Sequence, residues 1–238
     1  MGSRPDRPRA ATAPRHRPPG DRTPGSPPDQ GAGPARRPLR ASGPGDLVHI
    51  DTKKLGRIVG GPGHRVTGDR RSRSRGQGWT VIHDAIDDAT RVAYVELLPD
   101  ECGETASGFL RRMEAHFRWL GIQVQRVLTD NGSQYVPRVG KASCADLGVG
   151  AHRTRPYRPQ TNGKVERWFQ TVLRGCLYRH PLASEDERQR ALDAFVPYDN
   201  KDRPHLGIKG LTPLSRLASL STTLSETTPR QSHEHLDW

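Results

Sequence analysis

Residues 46–55 read DLVHIDTKKL, and the fold follows from how this run is parsed. Leu47, His49 and Asp51 alternate with Val48, Ile50 and Thr52, the period of two that sends successive side chains to opposite faces of a sheet. The run is therefore a strand, with the carboxylate of Asp51 set inside an apolar stretch. Downstream, Gly56 to Gly78 breaks the pattern with glycines and with Arg65, Arg70, Arg71, Arg73 and Arg75, which predicts a mobile basic loop or a loose hairpin extension. WTVIHDAI and RVAYVELL then give two further strands. The Asp87-Asp88-Ala89-Thr90 link between them suits a tight turn, so this pair forms a hairpin.

A helix comes next. From Thr105 to Leu120 the apolar residues Phe109, Leu110, Met113, Phe117 and Leu120 fall on one helical stripe that stops at Gly121. VQRVLTDNG reads as a buried strand ending in a turn, followed by a short helix around Ser143 to Leu147 and a short strand near Ala151. A last long helix is predicted from about Gly163 to Tyr178, with Asn162 as N-cap and Val165, Trp168, Phe169, Val172 and Leu173 on its packed face. Ser184 and Glu187 form a capping box for another helix, expected to stop near Pro197. The order of elements predicts an α/β fold whose sheet must place the first and fourth strands side by side if its carboxylates are to meet.

Residues 1–45 hold 11 of the 21 prolines, 7 glycines and 9 arginines, while their only large apolar residues are Met1 and Leu39. Such a segment cannot bury enough surface to offset chain entropy, so it reads as a disordered basic arm, either touching phosphate nonspecifically or simply solvated. The core is expected over residues 46–215, and residues 216–238, rich in Ser and Thr, as a disordered tail. The formal charge of +12 favours a polyanionic partner, nucleic acid before anionic membrane, without separating DNA from RNA. Cys102, Cys144 and Cys176 lie far apart with no CxxC pair, which argues against a zinc site or a disulfide framework. No secretory h-region or membrane-length apolar run is present, and a cytoplasmic, nucleoid-associated bacterial protein is expected.

Three carboxylates stand where strands and helices can gather them: Asp51 in the first strand, Asp130 at the C-terminal end of the fourth, and Glu166 in the first turn of the last long helix. Strand C-termini line the ligand crevice of an open parallel sheet. Crowded carboxylates repel and raise one another's pKa, a conflict that a cation removes. All-oxygen ligation selects Mg²⁺ or Mn²⁺, and two such ions roughly 3.5 to 4 Å apart serve in-line displacement at a phosphodiester. In that arrangement Asp51 bridges both ions, Asp130 holds one and Glu166 the other. Singly, each has a plainer reading: Asp130 as a turn residue beside Asn-Gly, Glu166 as a helix N-terminal charge, Asp51 as a solvent-facing edge residue.

VHIDTKKLGRI, VLTDNGSQY and RTRPYRPQTNGKVERWFQTVLR resemble the three signature blocks of insertion-sequence DDE transposases, which share a catalytic core with retroviral integrases. AIDDATRVAYVELL and NKDRPHLGIKGLTPLSRL are similar to that family's hairpin and closing segment, and 35 residues separate Asp130 from Glu166, as in its Asp-Asp-35-Glu pattern. The resemblance covers roughly residues 44–217. It implies a ribonuclease H-like mixed five-stranded sheet flanked by helices, with Asp51, Asp130 and Glu166 as catalytic metal ligands. The implied reaction is nicking at transposon ends followed by strand transfer into target DNA, carried out by a homo-oligomer on DNA. Around Glu166, Lys164, Arg167, Arg155 and Arg158 supply phosphate-seeking cations, Tyr157 a stacking ring, and Gln160 and Asn162 amide side chains for a DNA backbone beside the ions, with Arg153 flanking them.

The sequence also departs from the family. Its members usually carry a helix-turn-helix before the core, whereas residues 1–45 show no helical periodicity, the composition expected of a truncated or frame-altered beginning. Gly140 stands where a core aromatic is expected, and Pro197 and Asp199 are expected to interrupt their helix. Arg203 and His205 are expected to be structural. The alternatives to an active transposase are a catalytically idle DNA-binding remnant that interferes with the full-length enzyme, and a ribonuclease H-like nuclease acting on RNA–DNA hybrids.

Overall fold

The computed structural model describes residues 41–62, 64–69, 77–130, 138–154 and 163–227. The sheet has five strands: β1 (Val48–Gly56), β2 (Trp79–Asp87), β3 (Ala93–Leu98), β4 (Arg126–Thr129) and β5 (Gly150–Arg153). They lie in the order β3-β2-β1-β4-β5. β1 is thus central, antiparallel to β2 from Val48–Asp87 to Gly56–Trp79 and parallel to β4 from Val48–Val127 to Ile50–Thr129. The adjacency of first and fourth strands that the chemistry requires is present, and Asp51 does not sit on an edge strand.

The alternation read in β1 separates two cores. Val48 and Ile50 face α2 (Gly103–Trp119), packing with Ala85 and Val127 against Phe109, Leu110, Met113 and Phe117. On the other face Leu55, Ile82, Ile86 and Ala93 pack under Val165, Trp168, Phe169 and Val172 of α4 (Gly163–Val172). Burying apolar stripes on both faces is the usual way a sheet is stabilised, at about 25 cal/mol per Å² removed from water. α1 (His64–Thr67) lies in the basic segment between β1 and β2, where the ladder is prolonged by the Arg57 amide donating to the Gly78 carbonyl. In the β2–β3 turn, Asp87 accepts from the amide and hydroxyl of Thr90, and Arg91 takes a positive φ of 71°.

Several expectations need correction. The fold begins before residue 46: the Ala41 amide donates to Asp88, the Gly45 amide to Asp87, and the Gly45 carbonyl accepts from Gln125. Gly45 also has φ +82° with Gln123 backbone directly where a Cβ would stand, so only glycine fits there. α3 runs from Arg138 to Asp146, longer and earlier than read, and buries Gly140. The helix expected to reach Tyr178 is α-helical only to Val172 and continues as a π-turn over Leu173–Leu177.

α5 (Glu185–Lys201) runs through Pro197 rather than ending at it. Its far end is anchored by tertiary contacts: Asn200 pairs with both the amide and the carbonyl of Ala93 on edge strand β3, each at 2.9 Å. Asp199 is fully buried and meets Arg203 at 2.8 Å and His205 at 3.0 Å, so these three residues close a structural knot. At its start, Ser184 accepts from the Glu187 amide, but the Glu187 carboxylate accepts from Ala183 instead of completing the box on Ser184. Residues 216–227 are not a disordered tail: they belong to α6 (Pro213–Thr227), whose Leu217 enters the first core. Residues 1–40, 70–76 and 228–238 lie outside the described residues, and with them most of the expected arm, the Arg70–Arg75 run and the end of the tail. Among the described residues no helix is long and apolar enough to cross a membrane.

Candidate metal centre

The register of β1 on β4 sets the site. Ile50 opposes Thr129, so Asp51 and Asp130 are the next residues along two neighbouring parallel strands. Asp51 shares the α4-facing side of β1 with Lys53, whose ammonium lies 5.7 Å from the centre of the Phe169 ring. Glu166 is in the first turn of that helix, exposed, where the positive end of the helix dipole favours a carboxylate.

The Asp51 carboxylate accepts from the Thr52 amide at 2.8 Å and is otherwise poorly compensated. Burial, with the negative charges of Asp130 and Glu166, pushes its pKa up to about 6 against the smaller opposing effects of the Thr52 amide and Lys53. Asp130 and Glu166 are therefore close enough to act electrostatically on Asp51. They are not drawn into one cluster: among the described residues no three Asp, Glu, His or Cys side chains stand where they could hold an ion together. Asp130 Oδ1 is buried with no hydrogen-bond partner. A donor set of oxygens only, an orphaned buried carboxylate oxygen and a neighbouring carboxyl whose ionisation is opposed by burial and by repulsion fit a divalent cation, which supplies the missing partner.

Asp84 was not singled out in the sequence. It opposes Asp51 across the β1–β2 ladder, is fully buried, and neither of its carboxylate oxygens has a hydrogen-bond partner. Burial first and the Asp51 charge second raise its pKa well above the ordinary carboxylate range. The available signal was an acid inside the apolar run VIHDAI at a position that shares its face with Ile82 and Ile86.

Lys164 donates to Asp88, which also receives His49 Nε2 at 2.9 Å. Burial opposes ionisation of Asp88, yet the hydrogen bonds from His49 and Lys164 and their charges hold it far below the usual carboxylate range. The lysine expected to seek phosphate thus has an internal partner, with 41% of its side chain still exposed. Arg167 is exposed, and Arg153 is the last residue of β5, opposite Thr129 of β4. Arg155, Tyr157, Arg158, Gln160 and Asn162 lie outside the described residues, as do Asn131 and Gly132 of the turn after β4.

A central strand bearing one carboxylate, a parallel neighbour bearing the second and a covering helix bearing the third define a ribonuclease H-like core. Two family models, both described as an integrase core domain, match it, one over residues 42–159 and the other over residues 147–213. The chain belongs to the integrase core domain family. It is 27% identical over 153 residues to the integrase-type ORF3 protein of Spiroplasma virus SpV1-C74, covering 59% of this chain and 42% of that protein. It is 32% identical over 90 residues to a retrovirus-related Pol polyprotein from transposon TNT 1-94 of Nicotiana tabacum, covering 37% of this chain and 7% of the polyprotein. The chain thus spans less than half the length of these curated relatives. Among solved structures, the simian T-cell lymphotropic virus intasome aligns with a TM-score of 0.56 over 81% of this chain and 58% of that one. The catalytic core domain of BIV integrase aligns with a TM-score of 0.53 over 76% of this chain and 99% of that one. Both are 18% identical, a likeness of fold.

Proposed function

We propose that this chain is the catalytic core of a DNA transposase, a polynucleotidyl transferase that hydrolyses a phosphodiester at a transposon end and joins the freed 3′-hydroxyl to target DNA. The observation that supports this best is the Asp51–Asp130 juxtaposition on adjacent parallel strands, with Asp130 and Glu166 both raising the pKa of Asp51. Asp51 would bridge two Mg²⁺ or Mn²⁺ ions, with Asp130 on one and Glu166 on the other. Such ions, when bound, activate the attacking oxygen and stabilise the departing one. The protein's own part is to fix the carboxylates on a rigid sheet and to hold the DNA backbone. Arg167 and Lys164, with Arg155, Tyr157, Arg158, Gln160 and Asn162, are the residues proposed for that backbone, and Lys164 must exchange Asp88 for phosphate to take part. The working form is a homo-oligomer on DNA in the bacterial cytoplasm, associated with the nucleoid.

A nicking and strand-transfer assay on DNA carrying candidate ends, with Mg²⁺ or Mn²⁺, tests this. Product from the native chain that disappears in Asp130→Asn is the expected result. A second reading, an idle DNA-binding remnant, is favoured by one observation: the three carboxyls are not gathered closely enough to hold an ion in the described geometry. Binding without product in both proteins would establish the remnant.

A further inference from the structure

Beyond the carboxylates, a cleft of about 430 Å³ opens between α4 with its π-turn and α5. Arg167, Arg174 and Arg179 line one side of it, and Phe195 and Tyr198 the other. The three arginines are exposed and have no ion pair among the described residues. Arg203, also in the lining, is the one arginine there that is engaged, by buried Asp199. No carboxylate lines the cleft among the described residues. Like charges left uncompensated along one wall concentrate a positive potential that attracts polyanions.

The geometry gives the polyanion a shape. Arg167, Gln170 and Thr171 of α4 and Arg174 at the start of the π-turn succeed one another at helical spacing, a row roughly 10 Å long at about 1.5 Å of rise per residue. The row starts at the residue after Glu166 and leads away from it. The π-turn, closed by the Tyr178 amide on the Leu173 carbonyl at 2.8 Å, displaces Arg174 and Gly175 from ordinary helical register. Such wide turns recur at functional sites. Gly175 leaves room for Phe195, whose ring lies 3.4 Å from where a Cβ would be. Phe195 in turn backs Tyr198, with ring centres 6.2 Å apart, and Tyr198 keeps 49% of its surface exposed. A braced, half-open ring facing a row of cations is how proteins hold single-stranded nucleic acid: phosphates on the cations, a base on the ring.

We propose that the α4–α5 cleft is a second nucleic-acid site that grips an unpaired strand, its phosphates on Arg174 and Arg179 and one base stacked on Tyr198. An acidic peptide would satisfy the arginines, but it has no use for a supported ring beside them. The choice of nucleic acid rests on the reading of this chain as acting on DNA, while the binding itself needs no divalent ion.

The test uses the full chain in EDTA and a fluorescent oligothymidine, followed by anisotropy over a salt series. Arg174→Ala/Arg179→Ala is expected to weaken binding roughly tenfold or more and to flatten the slope of log K against log salt by about 1.4, two phosphates at roughly 0.7 each. Tyr198→Ala should weaken binding by roughly tenfold with the slope kept, and Tyr198→Phe should restore it. Thermal unfolding confirms that each variant is folded. Unchanged affinity and slope in both variants overturn the proposal. So does competition by tripolyphosphate or polyglutamate as strong as that of unlabelled oligothymidine. Failure of the transposase reading is seen elsewhere, as absence of any Mn²⁺-induced rise in the melting temperature of the native chain, and leaves the anisotropy result standing.

Discussion

Asp51→Asn should make this protein more stable while removing its response to divalent ions. Burial and the neighbouring Asp130 and Glu166 raise the Asp51 carboxyl from 3.8 to about 6 in the fold. A raised folded pKa means that the native state binds the proton more tightly than the unfolded chain, so stability falls as pH rises between those two values and the loss is complete above the upper one. Two pH units at about 1.4 kcal/mol each set an upper limit of about 3 kcal/mol. The neutral amide escapes that cost and can still accept from the Thr52 amide, as the native Oδ1 does at 2.8 Å. For a domain of this size the melting temperature should rise by roughly 5 to 10 °C at neutral pH and hardly change near pH 3. Calorimetric scans across pH, with and without Mn²⁺, measure both effects. The native chain should gain stability with Mn²⁺ as RT ln(1 + [L]/Kd), and the variant should gain little. A variant whose stability offset is the same at all pH values, or which keeps the full Mn²⁺ response, refutes the reasoning.

Asp84→Leu removes a fully buried acid with two unpartnered oxygens, so its stability at neutral pH should equal or exceed that of the native chain, read by urea titration. Asn200→Ala takes both hydrogen bonds from Ala93 and leaves its amide and carbonyl unpaired in a buried place; a loss of about 2 kcal/mol is expected, with faster hydrogen exchange at Ala93. Lys164→Met deprives Asp88 of one of the partners that hold its pKa down; the stability that ionised Asp88 contributes above the unfolded pKa then shrinks, and the acid limb of the stability curve moves upward in pH.

The strands and the packed helices were legible because their signals are periodic. The alternation of Leu47 to Thr52 survives as the split between two cores, and the stripe from Phe109 to Phe117 is buried against the sheet as its spacing requires. The order of strands is not periodic information; only the need to bring Asp51 beside Asp130 points to it, and the parallel ladder from Val48 to Ile50 supplies it. Where local rules were applied alone they failed. Pro197 should end a helix, but one lost amide bond is outweighed by Asn200 clasping the edge strand and Asp199 joining Arg203 and His205. A Ser- and Thr-rich end should be solvated, yet Leu217 finds a place in the first core. Asp84 escaped notice for the opposite reason, since an acid in an apolar run carries no period of its own.

The two faces of the sheet explain why the poorly compensated acids lie on one side: toward α2, Asp87 is satisfied by Gly45 and Thr90 and Glu96 by Arg112, whereas Asp51 and Asp84 face α4. Toward α2 the sheet and the helix close an apolar layer around Phe109 and Phe117, where an unpaired carboxylate would have neither solvent nor a partner. Toward α4 the apolar layer of Leu55, Ile82, Ile86 and Ala93 is interrupted by Asp51 and Asp84, which oppose each other across the β1–β2 ladder. Low polarity on one flank strengthens every charge interaction on the other, so the same burial that raises the pKa of Asp51 also strengthens the attraction of the ionised group for a cation. On the proposed metal role, instability without an ion and affinity for one are therefore a single property of this face. A substitution that relieves the first must weaken the second, and the Asp51→Asn scans read both in a single experiment.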